Sequence, residues 1–423
     1  MKLDWPKRLL LGFQHTLAMF GATVLVPFLT GLDISVALFS AGVGTLLFHM
    51  LTKRKVPVFL GSSFAFIPAI LSVKAMYATP GDPNAGLPYA TGGIIIAGLV
   101  YVLAGGLIKL FGPNVMKRLL PPVVIGPVII TIGLTLTPVA YGMAQGHWGV
   151  ALIAMLTVAL VTVFGKGLFK SLPILAGVGT GYLASFVFKL ADVTPVAQAP
   201  ILALPQFMTP KFSLDAILVV APVALVTLVE HLGDITTISA TVGQDFIQDP
   251  GLHRTLLGDG LATSLAGLVG GPSNTTYSEN TGVLAVTKVF DPVVMRIAAI
   301  FALTMSIFGK FGALLSTIPE PVMGGISIIL FGMIASIGMR VMVENRIDFS
   351  SGRNMLIAAF VLTIGMMSVL GEANPAVVKL GVINLEGLSL ATIVGIILNL
   401  VLPEEKPAAR PKASGRKNPA KGR

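Results

Sequence analysis

Three carboxylates stand in stretches that are otherwise built to avoid water. Glu230 and Asp234 lie in LVTLVEHLGDITTISATVGQDF, and Glu279 lies in PSNTTYSENTG, between the apolar runs LATSLAGLVGG and VLAVTKVF. Glu230 and Asp234 are four residues apart, so a helix carries both on one face, about one turn apart. A protonated carboxyl gives one hydrogen bond and accepts others, whereas an ionised one only accepts. Acids crowded together out of water hold a proton more readily than isolated ones. Such a set suits a proton-linked site for a neutral, hydrogen-bonding ligand. It does not suit a metal, because no H-x-x-x-H or H-x-H pair occurs and the chain has no cysteine for a thiolate ligand or a disulfide. An intramembrane hydrolase using the acid pair would need a nucleophile motif or metal ligands, and neither accompanies it. A channel would need a lined pore rather than acids gathered at one place. The competing reading of Glu230 and Asp234 puts them at the cytoplasmic end of a span, since TTISATVGQDF beyond them is polar and His231 and Thr236 look interfacial.

The elements that must position these acids are membrane spans. Hydrophobic residues make up 54% of the 423 and charged residues 11%, the mean hydropathy is +0.87, and soluble domains carry about 25% charged residues. Twelve apolar runs, from Leu9–Leu29 to Leu385–Leu402, are long enough to cross a bilayer core or nearly so. Two further segments, VPVFLGSSFAFIPAILSV (56–73) and PSNTTYSENTGVLAVTKVF (272–290), are too short or too polar to be plain spanning helices; as additional crossings they bring the expected total to fourteen. Charge placement agrees. With the N-terminus inside, all of the 29 lysines and arginines except Lys74, Lys189, Lys211, Lys310 and Lys379 fall on cytoplasmic segments, and dropping either short segment would put later basic loops on the wrong side. The net charge of +10 therefore reads as topology, plus a basic tail (404–423) expected to be disordered near anionic lipid, and not as a nucleic-acid surface. Both termini are expected in the cytoplasm, and the basic start reads as the lead into a first span, not as a cleavable signal.

Two features point to an internal repeat. LLPPVVIGPVIITIGL (119–134) and TIPEPVMGGISIILFGM (317–333) share P-x-x-V-x-G, Pro121 to Gly126 against Pro319 to Gly324. The two irregular segments also correspond in position and in polar content. Seven spans per half would put the halves in opposite orientations. The expected fold is thus an all-α polytopic membrane protein of fourteen segments as a 7+7 inverted repeat, with short extended strands in spans 3 and 10. The extended parts are placed at Phe59–Ala65 and Asn274–Ser278, each followed by a half-helix, with Glu279 near the start of the second. Non-helical backbone survives in a bilayer only where protein covers it or a cavity receives it, so broken spans mark a site where free N–H groups and the positive helix end can meet a ligand. Gln14 and His15 lie near the inner end of the first span, in a capping, interfacial or network role. His49, His147 and His253 fall at span ends or loops and are expected to be solvated. Scattered G-x-G patterns such as GVGTG (177–181) read as helix-packing contacts and not as phosphate loops.

QHTLAMFGATVLVP, GSSFAFI, VEHLGD, DPGLHR, GGPSNTTYSENTGV and IPEPVMGG resemble the nucleobase:cation symporter-2 family, also called the nucleobase-ascorbate transporters, over nearly all of residues 9–403. The resemblance implies a secondary transporter, not an enzyme, importing a nucleobase with a proton and using no cofactor. It implies a core domain (1–112 and 208–316) and a gate domain (113–207 and 317–403), with a homodimer formed through the gate. It further implies that Glu230 and Glu279 bind the base, that Phe64 packs on its ring, that backbone around Tyr277 and Ser278 completes the pocket, and that Glu230, Asp234, Glu279 and His15 serve proton coupling. Many uracil members have histidine where this chain has Asp234, and xanthine and urate members more often have glutamine at the Glu279 position. The second difference favours uracil over a purine or another small anion. Uracil, neutral and flat with an N–H between two carbonyls, is the kind of ligand a protonated carboxyl can both give to and accept from.

Overall fold

The computed structural model describes residues 4–112, 121–167, 169, 172–370, 377–380 and 383–403. The tail from 404 onward lies outside the described residues, as do the basic residues Lys117, Arg118 and Lys170 used in the charge argument. Helices dominate. Besides one short helix at Thr194–Gln198, in chain order they are α1 (Trp5–Thr30), α2 (Ile34–Leu51), α3 (Ile67–Met76), α4 (Leu87–Phe111), α5 (Pro122–Gln145), α6 (Trp148–Phe164), α7 (Pro173–Val187), α8 (Leu214–Val220), α9 (Val223–Val242), α10 (Leu252–Leu268), α11 (Ser278–Thr287), α12 (Pro292–Ser306), α13 (Gly309–Ser316), α14 (Glu320–Glu344), α15 (Gly352–Leu370) and α16 (Gly387–Val401). Six helical stretches among the described residues are long and apolar enough to cross a membrane, and six shorter apolar helices of 10–17 residues accompany them. Their ends follow local chemistry. Gly31, at φ 88°, closes α1 in a left-handed conformation with its N–H on the Pro27 carbonyl, and the Asp33 carboxylate caps α2 by accepting from Val36 N–H at 2.8 Å. Outward apolar stripes remain uncovered, as at Leu99, Leu103, Leu107 and Leu110 along α4. A helix face of that kind is at home against lipid, and the chain is a multi-pass membrane protein.

Two strands interrupt the helices. β1 (Leu60–Ser62) and β2 (Asn274–Thr276) pair antiparallel, Leu60 opposite Thr276 and Ser62 opposite Asn274. They are shorter than the extended stretches read from sequence, because the backbone is already helical at Phe64 and at Ser278. A second hairpin, β3 (Val377–Leu380) with β4 (Ile383–Glu386), precedes α16 and has no counterpart in the sequence reading. Only the end of β4, Leu385 and Glu386, takes the first residues of the expected last span, in I-N-L-E, which alternates with the strand period.

The helices pack in two groups. In one, α10 lies against α2 and α4, and α12 lies against α1 and α2, with β1 and β2 enclosed between α2 and α10. In the other, α14 lies against α5, α6 and α7, while α5 also packs on α15 and α16. α9 touches both groups, meeting α4, α11 and β2 on one side and α5 and α16 on the other. The partners correspond across the halves. α4 meets α10 as α12 meets α2, α6 meets α7 as α15 meets α16, and α1 meets α7 as α9 meets α16.

The α5–α14 contact is close enough to require glycine. A Cβ placed on Gly126 would meet the Met342 side chain and, at 3.0 Å, the Gly338 carbonyl oxygen. One placed on Gly324 would meet backbone, the Ala144 nitrogen at 2.5 Å and the Ala140 carbonyl oxygen at 2.9 Å. Overpacking of a tight contact costs about 1–3 kcal/mol, and a flexible Met tip can yield where backbone cannot. Gly324→Ala is therefore expected to lower the thermal unfolding midpoint in detergent further than Gly126→Ala. An equal or larger loss from Gly126→Ala would contradict this account of the contact.

Candidate functional site

The polar stretch 272–282 holds a strand in place, and its side chains supply the hydrogen bonds that a broken span lacks. Asn274 Nδ2 donates to the carbonyls of Ser40 (3.1 Å) and Ala262 (3.2 Å), and its own carbonyl accepts from Thr263 Oγ1 (2.9 Å). On β1 the Leu60 N–H donates to Thr45 Oγ1 (2.9 Å), and Ser62 Oγ donates to the Thr23 carbonyl (3.1 Å). Tyr277 N–H reaches the Phe59 carbonyl (3.1 Å), and its hydroxyl donates to the Ser62 carbonyl (2.9 Å) while accepting from Thr23 Oγ1 (3.3 Å). Buried backbone groups are thereby paired, as a water-poor interior demands. Both strands are fully enclosed.

From this frame two short helices start, the Phe64–Phe66 turn running into α3, and α11 at Ser278. Phe64 and Glu279 are partly exposed at these starts, and Ser278 is exposed. Tyr277, by contrast, is buried at 4% exposure, and its side chain braces β1. Glu279 sits in the first turn of α11, where the positive end of the helix favours a carboxylate. Across from the helix starts stands α9, in contact with α11, β2 and the Phe64 turn. Its mid-length Glu230 and Asp234 are partly exposed. Asp234 lies within Coulombic reach of Glu230, Glu279 and Asp259, and Glu230 within reach of Glu279. The three acids singled out in the sequence are thus brought together. Asp234 is not a free residue at a helix end, since its Oδ2 accepts from Thr276 Oγ1 of β2 at 2.5 Å.

His15 stands one layer back. It is buried on α1, with Asn280 Nδ2 placed 3.0 Å from both its ring Nδ1 and its backbone carbonyl oxygen, so it fixes the first turn of α11. Two histidines differ from their sequence reading. His49 is buried, its Nε2 bonded to the Val58 carbonyl at 2.9 Å, because α2 ends beneath the segment that leads through Val58 into β1. His231 is not interfacial: it is fully buried, its Nδ1 2.9 Å from Asp259 Oδ2 on α10, and Asp259 is fully buried too. Sequence reading passed over Asp259, Thr276 and Asn280. Asp259 carried a signal, an acid alone in the apolar LLGDGLATS.

Residues 6–373 match the sequence profile described as "Permease family". The chain is 45% identical over 409 residues, 95% of each chain, to the "Probable uracil permease" of Haemophilus influenzae. It is 44% identical over 415 residues to the "Uracil permease" of Bacillus caldolyticus, covering 94% of this chain and 93% of that one. Among solved structures it resembles the transmembrane domain of the cyanobacterial bicarbonate transporter BicA, with a TM-score of 0.63 at 18% identity over 93% of this chain and 96% of that one. That likeness speaks for the fold alone.

Proposed function

The chain belongs to the Permease family, the nucleobase:cation symporter-2 family anticipated from its motifs, and on that footing we propose that it imports uracil by proton symport. It is a transporter for a nucleobase. The observation that carries the finer reading is the gathering of Glu279, in the first turn of α11, with Glu230 and Asp234 of α9 across from it. In this reading Glu230 and Glu279 hold the base, one giving a hydrogen bond to a carbonyl and one accepting from an N–H. Phe64 covers its ring, backbone around Tyr277 and Ser278 completes the pocket, and the first-turn N–H groups of α11, from Ser278 onward, meet a carbonyl. Asp234 carries the coupled proton with Glu230 and Glu279, and His15 keeps α11 in register for it. No cofactor takes part. The relatives named as uracil permeases favour uracil over a purine or another small anion.

The first helix group (1–112, 208–316) serves as the core domain and the second (113–207, 317–403) as the gate, their relative movement exposing the site to each side in turn. Reciprocal packing supports a 7+7 inverted repeat of fourteen spans. The Gly126–Gly338 contact carries over, at the 198-residue offset that relates Gly126 to Gly324, into the Gly324–Ala140 contact, and the β1–β2 ladder is symmetric about the Gly61–Thr275 pair. Cytoplasmic termini and a homodimer through the gate complete the proposal, on the strength of charge placement and family resemblance.

The test is uptake of labelled uracil into proteoliposomes, with xanthine, hypoxanthine, guanine, thymine and cytosine as competitors. Saturable uptake driven by an inward proton gradient is expected, and its absence would refute the substrate assignment. Phe64→Ala is expected to weaken uracil binding by about 1–3 kcal/mol, the scale of base-aromatic stacking, and Phe64→Tyr by less. Equal losses in calorimetric titration would remove the stacking role.

A further inference from the structure

The Asp234 carboxylate makes one hydrogen bond among the described residues, and it goes to another element of the site. Thr276 Oγ1, on β2, donates to its Oδ2 at 2.5 Å. Thr276 is paired through backbone with Leu60 of β1, and it is followed at once by Tyr277, whose N–H is tied to Phe59, and by Ser278, where α11 begins. That hydroxyl therefore links α9 to the frame from which both short helices start. The titratable groups around Asp234 are Glu230 on its own helix, Glu279 on α11 and Asp259 on α10, the last engaged with His231, and beyond them Tyr101 on α4. None of these is hydrogen-bonded to Asp234.

A hydroxyl is both donor and acceptor. Toward an ionised Asp234, Thr276 gives its hydrogen. Toward a protonated one it can receive the acid's hydrogen while its own turns elsewhere. A hydroxyl partner can therefore stay bonded through a change of charge that would leave an N–H donor facing an O–H donor. We infer that Thr276 is the positioning residue for Asp234, holding that carboxyl against β2 in both of its protonation states. The assignment rests on the proton-coupled reading of the site, yet the hydroxyl contact can be tested without any substrate.

The experiment uses full-length protein, wild type and Asp234→Asn, Thr276→Ser and Thr276→Val, with Thr276→Ala in place of the valine variant if that one is not monodisperse. Infrared titration of the substrate-free protein reads the carboxylic C=O band that Asp234→Asn removes. In Thr276→Val the band is expected at higher frequency, with its titration midpoint moved by about half a pH unit or more, the consequence of losing one hydrogen bond to a buried acid. Thr276→Ser should match wild type. In proteoliposomes Thr276→Val should lose about tenfold in proton-driven uracil accumulation while base-for-base exchange persists. A band unmoved in Thr276→Val, or moved as far by serine as by valine, would overturn the assignment. Should wild type take up no nucleobase, the functional reading falls and the infrared comparison still decides the role of Thr276.

Discussion

Glu279→Gln is expected to weaken uracil binding greatly while the protein stays folded and monodisperse. Glu279 stands in the first turn of α11, partly exposed, with Asn280 beside it locked to His15 on α1. The backbone that presents the side chain is held by Tyr277 and β2, so the substitution leaves the frame intact. What changes is the hydrogen-bonding pattern. A carboxyl can present two acceptor oxygens, or one acceptor and one donor, whereas an amide presents an acceptor and a fixed NH2. A ligand with an N–H between two carbonyls would then face a donor where it needs an acceptor. A mispaired buried group costs about 1–3 kcal/mol, and more where charge is involved, so binding should weaken by about 5- to 150-fold or more. Calorimetric titration of the purified variant measures this. Wild-type affinity in a monodisperse preparation would remove Glu279 from the site.

Asp234→Asn should separate transport from the proton gradient more than it weakens binding. Asparagine keeps the size and shape of the aspartate but does not titrate, so it resembles the protonated acid at every pH. Its carbonyl can still accept from Thr276 Oγ1, which keeps α9 tied to β2. Exchange of base for base across the membrane should then persist, while uphill accumulation under an inward proton gradient should fall to near the equilibrium level. Accumulation matching wild type, with the same dependence on pH, would move the coupling role to Glu230 or Glu279.

The site was legible in outline because a polar cluster inside an apolar segment has few physical explanations. A span cannot hold Asn274, Thr276, Tyr277 and Glu279 unless something answers their polar groups, and the sequence shows that much. It does not show what answers them. Thr23, Thr45 and Thr263 each sit in an apolar run, where a threonine can equally bond the carbonyl one turn back on its own helix. Thr16, Thr30 and Thr131 do make that local bond. Only the fold tells the two kinds apart. Asp259 and His231 escaped for a related reason: they are 28 residues apart, outside any local pattern, and His231 was judged by the polar residues that follow it instead of by what lies across from it. The α5–α14 contact was half visible, since the shared P-x-x-V-x-G text marked Gly126 and Gly324 but not the surfaces they meet.

The pairing of β1 with β2 also constrains how the protein can be made. Leu60 and Thr276 are neighbours in space but far apart along the chain, so Leu60 is translated and inserted long before its partner exists. Until then its strand has an open edge within the membrane, an arrangement that hydrocarbon penalises. In the meantime the Leu60 N–H donates to the Thr45 hydroxyl and Ser62 Oγ donates to the Thr23 carbonyl, which ties the strand to the preceding helices along its other side. The ladder itself closes only when the second broken segment arrives. The proposed ligand site therefore cannot form before the second broken segment is made, and a ribosome stalled before residue 274 would leave a membrane-integrated polypeptide without it.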